Sequence, residues 1–123
     1  MILLDTNAVL WALAGNPRAA PLFAQGRPLR LSPVSLLEIR FLVEVGKLGL
    51  APGRSVAEIA DDSRWKLDSP SSARLFAAAL DLEWTRDPFD RLLVAHARYR
   101  RWRLATGDRV LRERLEGEAT VAL

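Results

Sequence analysis

The chain contains no cysteine, which excludes disulfides and thiolate metal sites and fits a reducing compartment. It has no apolar run long enough to cross a bilayer. The opening Met1-Ile2-Leu3-Leu4 reaches Asp5 too soon to serve as the apolar region of a signal peptide. Together these absences predict a cytoplasmic protein without a membrane partner. Lysine is also scarce, two residues against sixteen arginines. That bias has two readings, a GC-rich coding sequence or a basic surface that attracts phosphates. No internal repeat, linker or low-complexity segment interrupts the chain.

What remains is 123 residues, half of them apolar, enough for one domain with one hydrophobic core spanning residues 1–123. The net charge of +3 is unevenly placed. Between Trp84 and Arg114 nine arginines face four acids, whereas the rest of the chain is slightly acidic. A basic C-terminal surface points to nucleic acid.

The apolar periodicity predicts strands at 2–5, 29–32, 66–68, 103–106 and 119–123. Helices are expected from about residue 6 to Gly15, from Pro33 to Lys47, and over 55–64, 71–82, 89–101 and 108–115. Pro33 and Pro88 suit the first turns of their helices. Strands alternating with helices imply an α/β sandwich whose central sheet, of about five strands, is mostly parallel.

Four isolated carboxylates stand where a strand or loop hands over to a helix: Asp5, Glu38, Asp90 and Asp108. In an open parallel sheet, ligands bind outside the carboxyl ends of the strands, where the following helices begin. Four acids from separate junctions can meet in one crevice there, and clustered carboxylates suit a hard divalent cation. Each acid also has a structural reading. Asp at such a junction is a favoured N-cap, and Ser35-x-x-Glu38 matches a capping box.

Glu38 fits the structural reading least. It lies roughly 160° around the helix from the charged stripe Arg40, Glu44 and Lys47, among Phe41, Leu42 and Val45. A carboxylate on an apolar face needs a partner or a cation. Asp87, just before Pro88, reads as the cap of its helix, and Asp90 as the ligand. His96 falls in line with Phe89, Leu92 and Leu93 and reads as a satisfied core or boundary histidine. Of the tryptophans, Trp102, flanked by Arg101 and Arg103, is the one expected to meet a partner.

Leu3-Leu4-Asp5-Thr6-Asn7, the Ser-x-x-Glu of Ser35 to Glu38, Asp87-Pro88-Phe89-Asp90-Arg91-Leu92-Leu93 and Thr106-Gly107-Asp108 together resemble the PIN-domain family. Within it they resemble VapC-type toxins of prokaryotic type II toxin–antitoxin systems. Asp-Thr-Asn alone is a weak signal and Asp-Pro-Phe-Asp-Arg a more specific one; all four, in order along nearly the whole chain, are strong. The resemblance implies a PIN-like α/β/α sandwich and an endoribonuclease dependent on Mg²⁺, with Mn²⁺ able to substitute. It also implies an RNA substrate cut to 5′-phosphate and 3′-hydroxyl ends, a small VapB-like antitoxin that silences the enzyme, and a homodimer.

Carried over by position, Asp5, Glu38, Asp90 and Asp108 are the catalytic, metal-holding acids, and Asn7 and Thr106 are polar residues of the site. Arg86 and Arg91 are candidates for the flanking RNA phosphates. The chain departs from the family in two places: Arg86 stands where many relatives have His, and His96 where Gln is common.

Two further classes share parts of this pattern. Receiver domains need a lysine at a late strand end, and 104–108 offers none. Haloacid-dehalogenase-like phosphatases need Asp-x-Asp where this chain has Asp5-Thr6-Asn7. A non-catalytic nucleic-acid-binding module, acting only within a repressor complex, is the remaining alternative.

Overall fold

The computed structural model describes residues 1–116 and 119–123. Five short strands, β1 (Ile2–Leu4), β2 (Leu29–Leu31), β3 (Lys66–Leu67), β4 (Arg103–Thr106) and β5 (Thr120–Ala122), form one sheet in the order β3-β2-β1-β4-β5. Every pairing is parallel. All the carboxyl ends therefore lie along one edge of the sheet.

The helices are α1 (Thr6–Ala14), α2 (Ala20–Ala24), α3 (Pro33–Glu44), α4 (Val56–Ala60), α5 (Ser72–Ala79), α6 (Pro88–Arg100) and α7 (Arg109–Leu115). Because successive side chains of a strand point to opposite faces, β1 feeds two cores. Ile2 and Leu4 join Leu29, Leu31, Ala105 and Val121 under α1, α2 and α4. Leu3 and Leu104 pack instead against α5, α6 and α7. Helix α3 contributes to both layers, Ile39 to the first and Val34 to the second. Burial on both faces is why the central strand β1 reads as an unbroken apolar run rather than an alternating one.

Several boundaries differ from the sequence reading. The cap of α3 is Ser32, whose hydroxyl accepts the Val34 N–H at 3.2 Å, so Ser35 and Glu38 lie inside the helix rather than forming a capping box. The capping box lies elsewhere, between Ser55 and Glu58 at the start of α4. That helix ends at Ala60, not near Arg64, because Asp62 and Arg64 close a tight turn with their own ion pair. Helix α2 and the 3₁₀ turn Pro17–Ala19 before it follow Gly15-Asn16-Pro17, a segment that reads from sequence only as a stop. Trp102 packs partly buried against the second core, under the Arg100 guanidinium.

Candidate active site

Three helices opening on the carboxyl edge of the sheet, α1, α6 and α7, are each capped by an aspartate. Asp5 accepts the Ala8 N–H at 2.7 Å, Asp87 those of Phe89 and Asp90 at 2.8 and 3.3 Å, and Asp108 that of Leu111 at 3.0 Å. In each case the capping atom is Oδ1, which leaves the second oxygen without a capping duty. Asp90 stands at the third position of α6, and Glu38 a turn and a half into α3. These five carboxylates, with Thr6 and Asn7, line one cavity of about 150 Å³.

Thr6, the first residue of α1, is the internal brace. Its hydroxyl donates to Glu38 Oε1 and lies 3.2 Å from the Ser35 hydroxyl, joining α1 to α3. Helical angle alone places Glu38 among Phe41, Leu42 and Val45, but α3 buries Val34, Ser35 and Ile39, while Phe41 and Val45 are exposed. Glu38 borders that buried face, and Thr6 is the partner its position demands.

Burial and mutual repulsion disturb the acids. Burial pushes the Asp5 carboxyl up to about 6; hydrogen bonds from Thr106 and the Ala8 N–H oppose this, and Asp108 adds to it. Burial again leads at Asp90, and the charges of Asp87, Glu38, Asp108 and Asp5 add to it, raising the group to about 7. Glu38 is raised as well, by burial first and then by Asp87 and Asp5, with the Thr6 bond pulling the other way. A cluster that resists full ionisation is one that a cation would relieve.

The structure thus brings Asp5, Asn7, Glu38, Asp90 and Asp108 together. Thr106 lies beneath them, fully buried, its hydroxyl accepting the Asp108 N–H at 3.0 Å. Gly107 has a steric role. A Cβ there would come within 2.6 and 2.9 Å of the Trp11 ring, which Arg18 covers at 4.0 Å. Arg86 is exposed next to Asp87, and Arg91 donates its Nε to the Thr85 carbonyl at 2.8 Å. Neither arginine lines the cavity. His96 is fully buried and bonded through both ring nitrogens, as a core histidine should be. Sequence reasoning missed two lining residues. Thr6 lay unused inside the Asp-Thr-Asn motif, and Asp87 was read as a cap alone although it both caps α6 and faces the cavity.

A family model described as PIN domain matches residues 2–115. The chain belongs to the PIN-domain family. Among relatives, it is similar to Ribonuclease VapC22 of Mycobacterium tuberculosis, with 33% identity over 117 residues, 90% of this chain and 89% of that one. Among solved structures, it is similar to a toxin–antitoxin complex from Klebsiella pneumoniae, with a TM-score of 0.70 and 16% identity over 99% of this chain and 97% of that one. It is also similar to VapBC2 from Rickettsia felis bound to a DNA fragment from their promoter, with a TM-score of 0.68 and 19% identity over 100% and 99% of the two chains. At such identities the two structures speak for the PIN fold alone.

The donor set of this PIN crevice is all oxygen, which fits Mg²⁺ or Mn²⁺ and disfavours softer metals. Among the described residues no three His, Asp or Glu side chains stand close enough to hold an ion unaided. Mg²⁺ is commonly bound through one or two carboxylates and keeps several waters, so such a spread set is compatible with it. Among the described residues no helix is long and apolar enough to cross a membrane.

Proposed function

We propose that this chain is a Mg²⁺-dependent endoribonuclease of the VapC type, active in the cytoplasm and silenced by a small cognate antitoxin. The observation that carries the reading is the convergence of five carboxylates in one cavity at the carboxyl edge of the sheet. Mycobacterial Ribonuclease VapC22, alike over nine-tenths of this chain, supplies the substrate class.

Asp5 and Asp90 would be the chief metal ligands, with Asp108 and Glu38 completing the shell through water. When bound, the ion would polarise the scissile phosphate and lower the pKa of a coordinated water. The protein's own contribution is geometric. Asp5 and Asp108 are fixed by their capping bonds, and Glu38 by Thr6. Thr106 supports Asp108 from below, and Asn7, exposed at the rim, offers an amide to the substrate. Arg86 and the free guanidinium nitrogens of Arg91 would bind phosphates flanking the cut.

The antitoxin rests on two supports. A structure of the same fold has been captured as a toxin–antitoxin complex. In addition, Leu37 of α3 and Phe76 of α5, both exposed, line one apolar groove with Val34, Leu75 and Leu92, suited to a protein partner, whether antitoxin or second copy. The test is cleavage of a defined RNA by the purified protein in Mg²⁺ and in EDTA, with end analysis of the products. Metal-dependent cuts leaving 5′-phosphate and 3′-hydroxyl ends are expected, abolished in Asp90→Asn and in the saturated antitoxin complex. RNA binding without cleavage under any divalent metal would reduce the protein to a binding module.

A further inference from the structure

His96 is buried and bonded at both ends, yet it lies outside the acidic cavity. Its Nδ1 is 2.8 Å from the Ser32 hydroxyl and its Nε2 2.8 Å from Asp68 Oδ2. Asp68, just past β3, is also gripped by Arg100 at 2.8 and 3.1 Å. Ser, His and Asp in hydrogen-bonded sequence suggest a nucleophilic triad, but the burial rules it out. Ser32 has no exposed surface, and its oxygen already caps α3. The chain of donors closes with a neutral imidazole. Val34 N–H donates to Ser32, the Ser32 hydroxyl to Nδ1, and Nε2–H to Asp68, leaving no polar atom unmatched. Burial keeps His96 below its ordinary value, consistent with a neutral ring.

The position of this chain of bonds matters more than its chemistry. The Ser32 cap of α3 meets His96 of α6, Val34 shares a core with Leu93 and Val94, and further along Phe41 meets Phe89, their rings 5.9 Å apart. The start of α3 thus meets the later part of α6, and the later part of α3 meets the start of α6, so the helices run in opposite senses along their contact. Glu38 lies six residues beyond Ser32, and Asp90 six residues before His96. At ~1.5 Å per residue both residues sit roughly 9 Å along their helix axes from the polar pin. They fall between the two pins, across from each other and on the same cavity.

We propose that His96 is a positioning residue: by locking Ser32 to Asp68 it sets the register of α6 against α3, and with it the spacing of Asp90 from Glu38. This rests on the acidic cavity being the metal-dependent ribonuclease site. The aromatic pin at the other end is partly exposed and lacks direction, since Phe41 is 45% exposed and rings can slide. The polar pin is directional, because a shift of α6 by one turn, about 5.4 Å, would part His96 from both Ser32 and Asp68 and leave a buried imidazole without a partner.

The test compares His96→Leu and His96→Gln with the wild-type protein. His96→Leu keeps the volume and removes both bonds. His96→Gln keeps an amide able to donate to Asp68. Mn²⁺ binding is measured directly, by the electron-spin-resonance signal of free ion, well below each protein's melting temperature. RNA cleavage is followed against metal concentration in parallel. The expected result is about tenfold weaker Mn²⁺ binding in the leucine variant, cleavage partly restored by raising the metal, and recovery of most of the affinity in the glutamine variant.

A leucine variant that melts lower but binds Mn²⁺ as the wild type does would make His96 a packing residue and overturn the proposal. Absence of Mn²⁺ binding by the wild-type protein would instead sink the metal-site reading on which it rests. If His96→Leu fails to fold, Asp68→Ala removes the anchor from the edge of the network without opening the core. Weakened Mn²⁺ binding in that variant supports the pin, and unchanged binding refutes it.

Discussion

Replacing Asp90 by asparagine deletes one charge from the cavity while keeping shape and most hydrogen bonding. Between pH ~4 and ~7 the folded state retains a proton on Asp90 that the unfolded chain has released, because the group is raised from 3.8 to about 7. The native state binds more protons, so stability contributed by this residue falls as pH rises through that window and is lowest above it. At ~1.4 kcal/mol per unit the shift corresponds to a penalty on the order of 4 kcal/mol in the ionised protein. Partial exposure of Asp90 lets water and counter-ions screen this to about half or less. Asparagine also forfeits ~0.5 kcal/mol of favourable interaction with the amino end of α6.

The net expectation is a gain of about 1 kcal/mol, or roughly 3–6 °C in melting temperature, at pH ~8 in EDTA. At pH ~5 the two proteins should melt nearly together, since wild-type Asp90 is then protonated. Adding Mg²⁺ reverses the order. The wild type gains ~2.7 kcal/mol at a hundredfold excess over Kd, and the variant, lacking a ligand, gains less. Thermal melts at the two pH values, with and without metal, read all of this, and RNA cleavage should be lost throughout. If Asp90→Asn melts below the wild type by the same margin at both pH values and keeps the full gain from Mg²⁺, Asp90 is a structural residue and the electrostatic account is wrong.

Asp5→Asn should abolish cleavage with little loss of stability, because asparagine caps α1 as well as aspartate does, whereas Asp5→Ala should cost a further ~1 kcal/mol through the vacated Ala8 N–H. Thermal melts of the two variants separate charge from cap. Gly107→Ala should destabilise by about 1–3 kcal/mol, since its Cβ meets the Trp11 ring and not merely a flexible chain end. Cleavage should fall with it as Asp108 is displaced; a variant as stable and active as the wild type would show that Trp11 can step aside.

Much of this architecture is legible in the sequence. The unbroken apolar runs Ile2-Leu3-Leu4 and Leu104-Ala105 announced buried parallel strands, and the junction acids announced the edge where the site lies. The misreadings have local causes. Ser35-x-x-Glu38 satisfies the capping pattern, but Pro33 prefers the first turn, which moves the cap back to Ser32 and Glu38 into the helix body. The face on which Glu38 lies could not be told from helical angle alone, because α3 packs on α1, α4 and α6 together and buries a stripe turned away from Phe41 and Val45. The Asp68–His96–Ser32 chain joins residues 28 and 64 positions apart, a separation at which no periodicity carries information.

The sequence posed cap and ligand as rival explanations of each aspartate, and the geometry dissolves the rivalry. At Asp5, Asp87 and Asp108 a single atom, Oδ1, meets the helix amides, and the second oxygen has no capping duty, while all three residues line the cavity. A helix amino terminus orients the carboxylate and favours its negative charge, so the cap fixes the ligand. Asp90 and Glu38 have no such anchor. They lie within their helices, where only the relative position of α6 and α3 and the brace from Thr6 can aim them. The cavity therefore joins three carboxylates fixed by local chain geometry to two fixed by tertiary packing. Substitutions that loosen helix packing, even far from the cavity, should act on the second pair first, and weaken metal binding before they unfold the protein.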